Sequence, residues 1–254
     1  MLKKERHNII IELLEEEKFL LVKDIASKLN VSGMTIRRDI NELANQDKVI
    51  KLYGGVQIKE NEDNFRVRTM YEKMKSNIEE KKKMGIIMNN LISDNSTIYL
   101  GAGTSMLFGA KELNKKNITI VTNSILSFNY LQENTEYKLV LVGGNYNPLI
   151  GEFDGDDAEV FLNNINIDIA FAGTNGIYHN NVTTSNTSGG KIIRKAFENA
   201  KVKVIVADNT KFNKSDVYTF YKLEDIDIVI TDDDIDKQVK DYYNQFTKVI
   251  EGVL

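Results

Sequence analysis

Two sets of residues in this chain have the types and spacing to do chemistry. The first runs from Val31 through Arg38, VSGMTIRR, and on to Asn45. Ile36, Ile40 and Leu43 recur at i, i+4 and i+7. A helix through them turns Met34, Arg38, Asn41 and Asn45 to the opposite side, with Thr35 and Arg37 on its flanks. Arginines suit guanine edges or phosphates, an amide pairs with adenine and a short hydroxyl meets backbone oxygens, so this face has what a DNA groove demands. The second set is Gly101-Ala102-Gly103-Thr104-Ser105, which leaves an apolar run and enters a helical pattern. Backbone N–H groups, the positive end of a helix dipole and two hydroxyls there make an anion site suited to a phosphate monoester. As a dinucleotide fingerprint the loop is poor, because Met106 stands at the third glycine position and the next apolar run ends in Asn123 instead of an acid; nor does it carry the P-loop lysine.

The elements that must position the first set are legible on either side of it. Ser32 is an N-cap residue, and Val31 before it is placed to staple onto Ile36. Val22–Leu29 reads as a short helix with Ile25, Ala26 and Leu29 inward, and only Asn30 and Val31 separate it from the capped helix, as in a helix-turn-helix. Ile9, Ile10, Leu13 and Leu14 in an N-terminal helix, Leu2–Glu16, would cover both. Lys48–Ile58 alternates apolar and polar residues around Gly54-Gly55, a dipeptide that tolerates a two-residue hairpin turn, and would form a wing offering Lys51 and Tyr53 to the phosphate backbone.

The second set belongs to a longer pattern. Short apolar runs at 97–100, 118–122, 138–142, 167–172, 203–207 and 226–231 alternate with helical segments, which predicts a doubly wound, mostly parallel α/β sheet with ligands outside the carboxyl ends of its strands. Those ends collect amides, hydroxyls and a cation: Thr122-Asn123-Ser124, Gly143-Gly144, Gly173-Thr174-Asn175-Gly176 and Asp208-Asn209-Thr210-Lys211, a composition that suits a sugar. An amphipathic helix over Ile78–Ile92, with Met84, Ile87, Met88 and Leu91 apolar, opens this domain. The charged stretch 59–77 before it reads as a connection. The predicted organisation is therefore 1–58 as a winged helix-turn-helix, 59–77 as linker and 78–254 as a larger α/β domain.

The 254 residues are 42% hydrophobic and carry a net charge of −4. Residues 1–58 hold ten Lys/Arg against nine Asp/Glu, so the remainder is the acidic part and should repel DNA, leaving presentation to the N-terminal module. No run approaches the roughly 18 apolar residues of a membrane span and the N-terminus lacks a signal-peptide core, which points away from membranes and to the cytoplasm. There is no cysteine, and His7 and His179 fall in different predicted domains, so no metal site is expected.

SGMTIRRDINEL followed by KLYGGV resembles the signature of the DeoR family of bacterial transcriptional regulators, and the resemblance extends over essentially the whole chain. It implies a winged helix-turn-helix contacting double-stranded operator DNA through Thr35, Arg37 and Arg38, to which the reading of the cap, helix face and wing adds Ser32, Met34, Asn41, Lys51 and Tyr53. It further implies a sugar-phosphate sensor domain related to ribose-phosphate isomerases and glucosamine-phosphate deaminases. The few phosphate contacts of one module call for a homodimer or homotetramer, and no catalytic residue and no cofactor is expected. On that likeness Gly101, Ala102, Gly103, Thr104 and Ser105 form the phosphate loop. Asp208 and Lys211 belong to an Asp-x-Ser-Lys segment with Thr210 in place of serine, and Gly173, Thr174, Asn175 and Gly176 meet the sugar; Asn123 joins them as a strand-end amide. The stretches GTNGI, VTTSN and DVYTFYKLEDID resemble the lactose phosphotransferase repressor branch, which implies tagatose phosphate. Two positions depart from the family pattern: Gly33 replaces an acidic residue, and Asp47 replaces the glycine that ends the recognition helix.

The alternative is a sugar-phosphate isomerase or deaminase with an accessory domain. Moving a proton between sugar carbons needs a carboxylate or histidine base, and 173–177 offers only Thr174 and Asn175. Asp208 and His179 are the remaining candidates. A third reading, in which the second domain only oligomerises, leaves the phosphate loop without a purpose.

Overall fold

The computed structural model describes residues 3–17, 19–46, 48–52, 54–58, 70–148 and 150–252. They fall into two compact units, Met1–Arg66 and Val67–Leu254.

The first unit contains α1 (Lys3–Glu17), β1 (Phe19–Leu21), α2 (Val22–Leu29), α3 (Gly33–Asn45), β2 (Val49–Leu52) and β3 (Gly55–Ile58). Its core is the apolar stripe of each helix closed by the sheet: Ile10, Leu14, Ile25, Ile36, Ile40, Leu43, Val49 and Val56 are buried together, with Ile11 and Leu13 packed against them. Ile11, and not the expected Ile9, completes the contribution of α1. The α2–α3 turn is as tight as predicted, with Asn30 in the left-handed region at φ 51° and Val31 N–H donating to Ala26 O at 3.1 Å. The strands form an antiparallel sheet in the order β1-β3-β2. β1 was not foreseen, and it moves the hairpin turn. Leu52 pairs with Gly55, so Gly54 takes the turn at φ +78° and Gly55 begins the return strand. A Cβ at Gly55 would lie 2.5 Å from the Phe19 ring and 2.8 Å from Leu20 O, so this glycine serves strand packing and not the turn.

The second unit runs α4 (Met70–Lys75), α5 (Ile78–Leu91), β4 (Thr97–Leu100), α6 (Thr104–Lys111), β5 (Thr119–Thr122), α7 (Ile125–Asn134), β6 (Lys138–Leu141), β7 (Asn145–Asn147), β8 (Glu152–Asp154) and α8 (Asp156–Leu162). It continues with β9 (Ile167–Gly173), β10 (Gly176–Tyr178), β11 (Asn181–Thr184), α9 (Thr187–Glu198), β12 (Ala200–Val206), β13 (Tyr218–Lys222), β14 (Ile228–Thr231), α10 (Lys237–Tyr243) and β15 (Lys248–Glu251). All six expected apolar runs are strands of one seven-stranded sheet, ordered β15-β14-β12-β9-β4-β5-β6, whose neighbours all pair parallel. Alternate residues of each strand face alternate layers. Ile98, Leu100, Ile169 and Phe171 pack with α5, α6 and α7, whereas Tyr99, Ala170, Ala172 and Ile205 pack with α8, α9 and α10. The sheet is therefore doubly wound, as predicted. From β4 the chain steps outward through β5 and β6, then returns to β9 on the other side and continues to β15, so the topological switch lies between β4 and β9, where such sheets place ligands.

Two small antiparallel sheets, β7-β8 and β10-β11-β13, were not foreseen. Nor was α4, which lies inside the stretch read as a connection; residues 59–69 of that stretch fall outside the described residues. No helix among the described residues is long and apolar enough to cross a membrane.

Candidate functional site

On the first unit, α3 begins as its sequence requires. Ser32 Oγ accepts from Thr35 N–H at 3.2 Å and lies 2.9 Å from Thr35 Oγ1, so the Ser32 hydroxyl is engaged in the cap. Met34 is 79% exposed, Arg37, Arg38 and Asn41 are exposed, and Thr35 is half-buried, which leaves one polar helix face open. Lys51 on β2 donates to Asn41 Oδ1 at 3.1 Å, so wing and helix hold each other's polar groups. Tyr53 and Asp47 lie outside the described residues. Nothing stands within 4 Å of a Cβ built on Gly33, so the position that departs from the family pattern is open to a side chain.

Sequence reasoning missed Asp39, which is 2% exposed on the inner side of α3. Its carboxylate accepts from Arg6 Nε at 2.5 Å and Nη2 at 3.0 Å, and lies 3.1 Å from His7 Nε2. Burial opposes its ionisation, but the hydrogen bonds from Arg6 and His7 outweigh that and hold the carboxyl below its ordinary range. The signal was present: Asp39 completes the i, i+3, i+4, i+7 set with Ile36, Ile40 and Leu43, a core-facing position where a carboxylate needs a partner.

On the second unit a cavity of about 160 Å³ opens at the carboxyl ends of the central strands. Nine of the twelve expected effector residues line it: Ala102, Gly103, Thr104 and Ser105 after β4; Gly173, Thr174 and Asn175 after β9; Asp208 and Lys211 after β12. Gly103 caps α6 at φ +122°, a conformation that glycine alone adopts without strain, and so aims the first amides of the helix into the space. Lys211 is half-buried, and its ammonium has no hydrogen-bond or ion-pair partner among the described residues.

Three expected residues do not line the cavity. Gly101 is buried behind it, its N–H donating to Phe171 O at 2.9 Å. Gly176 begins β10 with its α-carbon against Lys214 O, where no Cβ fits. Asn123 is 1% exposed; it accepts from the Tyr99 hydroxyl at 2.9 Å and donates to Phe153 O at 3.0 Å, so its amide fixes β8. Thr122, Ser124, Gly143 and Gly144 also stand outside the lining. Thr174 and Asn175 line the cavity but spend much of their capacity shaping the loop. The Thr174 hydroxyl donates to Thr183 O at 2.7 Å, and Asn175 Nδ2 to Asp216 Oδ2 at 2.7 Å.

The lining also contains Lys73, Ser76 and Asn77 from α4 and the turn after it, Lys81 from α5, and Glu152, Ser185 and Asn186, none of which the sequence named as an effector residue. Lys81 is 4% exposed and donates to Ser76 O at 2.6 Å and to Lys73 O. Burial pushes its pKa down; Asp208 pulls it back, and Lys211 and Lys73 press it down further. An anion entering beside these lysines would relieve that repulsion. Its signal is its register, three residues before Met84 on the apolar face of α5. Glu152 is 7% exposed, and burial pushes its carboxyl up to about 7, with the Asn186 hydrogen bond opposing and Asp154 adding to the rise.

Glu152 removes one ground for setting aside the isomerase reading, since the cavity does contain a carboxyl of the kind a general base requires. His179 is not such a base. It lies outside the lining, with Nδ1 3.0 Å from the Tyr242 hydroxyl. Among the described residues no group of three or more His, Asp or Glu is arranged to hold a metal ion.

Comparison with known proteins decides between regulator and enzyme. The DeoR-like helix-turn-helix domain matches residues 6–62, and the DeoR C terminal sensor domain matches residues 76–233. A lactose phosphotransferase system repressor from Lactococcus lactis subsp. lactis is 32% identical, covering 99% of this chain and all of the relative. The HTH-type transcriptional repressor GlcR of Bacillus subtilis is 28% identical over 91% of this chain and 89% of its own. Among solved structures, ribose 5-phosphate isomerase from Plasmodium falciparum shares 16% identity over 52% of each chain at a TM-score of 0.38, a likeness too remote to carry an argument. A helix-turn-helix that leaves its polar face open, joined to a cavity-bearing parallel sheet and matched in both parts, shows that this chain belongs to the DeoR family of transcriptional regulators and is a DNA-binding regulator, not an enzyme.

Proposed function

We propose that the protein represses a carbohydrate-utilisation operon and that a phosphorylated sugar in the cavity of the second unit releases it from its operator. The observation that carries this reading is the convergence of Lys73, Lys81 and Lys211 with the glycine-capped start of α6 on one cavity. A phosphate supplies the charge that this arrangement favours and a free sugar does not. The relatives named as lactose phosphotransferase system repressors support a sugar of lactose catabolism, and tagatose phosphate is the ligand proposed.

Each module has one short recognition helix, so tight operator binding requires two modules on half-sites about one DNA turn apart, presented by a homodimer or homotetramer. α4 is the first described element of the second unit, and Lys81 holds the carbonyls that end it while standing in the cavity. A phosphate that draws on Lys81 and Lys73 therefore changes how α4 is held. The ligand shifts the equilibrium only by the difference in its affinity for the two arrangements, typically about 1 to 3 kcal/mol, or roughly 5- to 150-fold in operator affinity. The test is operator titration with saturating tagatose 6-phosphate, with tagatose and with inorganic phosphate. Weakening by the phosphosugar alone is expected. Equal effects of sugar and phosphosugar would remove the lysines from the mechanism, and tighter binding would make the protein co-repressed.

A further inference from the structure

Glu152 is built into the cavity with more structure than a lining residue requires. The Tyr99 hydroxyl, wholly buried, donates to Asn123 Oδ1, and Asn123 Nδ2 donates to Phe153 O while Phe153 N–H donates to Asn123 O at 2.8 Å. The strand carrying Glu152 is thereby held from both its N–H and C=O sides. Asn186 caps α9 by accepting from Ser188 N–H at 3.1 Å through Oδ1, which fixes its amide so that Nδ2 donates to Glu152 Oε1 at 2.6 Å. Space for the carboxylate is left by Gly189, where a Cβ would lie 2.5 Å from Oε1. The second oxygen, Oε2, carries no hydrogen bond among the described residues. A carboxylate 93% buried, fixed on one oxygen and free on the other, is an acceptor waiting for a donor.

Its position relative to the phosphate-suited groups follows from the sheet. Lys211 follows β12, the glycine loop follows β4 two strands away, and Glu152 bridges to Ser124 at the end of β5 on the far side of that loop. Asp154 stands behind it, its Oδ2 3.5 Å from the same Asn186 nitrogen. Lys211 and the glycine loop thus lie on one side and Glu152, backed by Asp154, on the other, with Lys73 near enough to act on both Lys81 and Glu152, though less strongly on Glu152 than Asp154 does.

We propose that Glu152 is the specificity-determining residue of the cavity: it accepts hydrogen bonds from hydroxyls at the end of the sugar remote from the phosphate, and its charge rejects phosphorylated sugar acids, which would place a carboxylate there. This rests on the reading of the cavity as a sugar-phosphate site. A hydroxyl donates to Oε2 at no electrostatic cost, whereas a ligand carboxylate meets Glu152 and Asp154 and has no donor to offer. Because burial raises this carboxyl to about 7, Glu152 carries its charge above that pH, and the titrations below are made at about pH 8.5.

The test is calorimetric titration of the full chain, wild type, Glu152→Gln and Glu152→Asp, with the 6-phosphates of tagatose, fructose and glucose, with 6-phosphogluconate and with inorganic phosphate; thermal melting confirms that each variant is folded. The wild type is expected to prefer the best hexose phosphate over 6-phosphogluconate. In Glu152→Gln that ratio falls by about tenfold or more, while inorganic phosphate changes by less than about twofold. Glu152→Asp keeps the charge but shortens the reach, so hexose phosphate weakens while the acid stays excluded. An unchanged ratio in Glu152→Gln, or an equal loss for hexose phosphate, acid and inorganic phosphate, overturns the assignment and leaves the sugar-phosphate reading standing. A wild type that binds none of the phosphorylated probes overturns both.

Discussion

The Arg6–His7–Asp39 cluster makes a demanding test of how the recognition helix is held. Removing one partner of a buried ion pair costs about 3 to 5 kcal/mol, because the other charge is left uncompensated, whereas replacing both with apolar residues is often near neutral. Here Asp39 is 2% exposed but the Arg6 and His7 side chains are 12% and 14% exposed, so water compensates in part and about 2 to 4 kcal/mol is the appropriate range. A module of this size has a total stability of only about 3 to 9 kcal/mol, so Arg6→Met or Asp39→Leu alone should leave much of it prone to unfolding. The double variant should recover most of the loss, a coupling of about 2 kcal/mol or more. The assay is hydrogen exchange followed by mass spectrometry on the full chain, which reads peptides of α1 and α3 separately from the second unit. Operator binding should fall with the protection of α3 and return in the double variant. Single-variant losses below about 0.5 kcal/mol, or a double variant whose loss equals their sum, would refute the reasoning. Because the Asp39 carboxyl is held below its unfolded value, its contribution is present above that value and is lost as pH falls through the folded one.

Arg38→Ala should cost roughly 1 to 3 kcal/mol of operator affinity and relax preference at one base position, whereas Arg37→Ala on the flank should weaken binding to all sequences and make the salt dependence shallower; titrations over a salt series on operator and unrelated DNA check both. Lys211→Ala should abolish the operator response to tagatose 6-phosphate. Gly103→Val should do the same through the strain of a side chain at φ +122°, and a folded variant that instead loses the operator complex would give the loop a role in assembly. Glu152 predicts a pH dependence of stability. With its carboxyl raised from 4.5 to about 7 by burial, the folded state keeps a proton that the unfolded chain has released, so stability falls as pH rises through that window, by up to about 3 kcal/mol. Chemical denaturation of Glu152→Gln should show a shallower decline between pH 5 and 8, and an equal slope in both proteins would contradict the burial argument.

What the sequence made legible was whatever a local rule determines. The cap at Ser32, the stripe Ile36–Ile40–Leu43 and the six apolar runs each follow from period and propensity within a dozen residues, and each stands where expected. The short strands β7, β8 and β10 have too few residues for a period to show, and β1 is placed only by its pairing with β3. The same division runs through the cavity. Gly103 and Lys211 sit at the ends of visible strands, so topology alone put them there. Asn123 occupies the same kind of position, yet Tyr99 and Phe153 claim its amide, and that depends on partners 24 and 30 residues away. Glu152 inverts the case: it follows none of the six apolar runs, and only the Asn186 amide, 34 residues on, and the bare face of Gly189 turn its carboxylate inward.

That division has a consequence for how ligand choice can change in such a chain. The phosphate-suited side is fixed by backbone amides at a strand end, which substitution of side chains barely moves. The opposite side is one carboxylate held by long-range contacts, and a change at Asn186 or Gly189 would re-aim it without touching the loop. Retention of the phosphate with variation of the sugar is therefore the expected path of divergence. Asn186→Ala tests it: freed from its clamp, Glu152 should discriminate less among hexose 6-phosphates while inorganic phosphate binds as before, and a variant that loses both together would show the two sides to be a single unit.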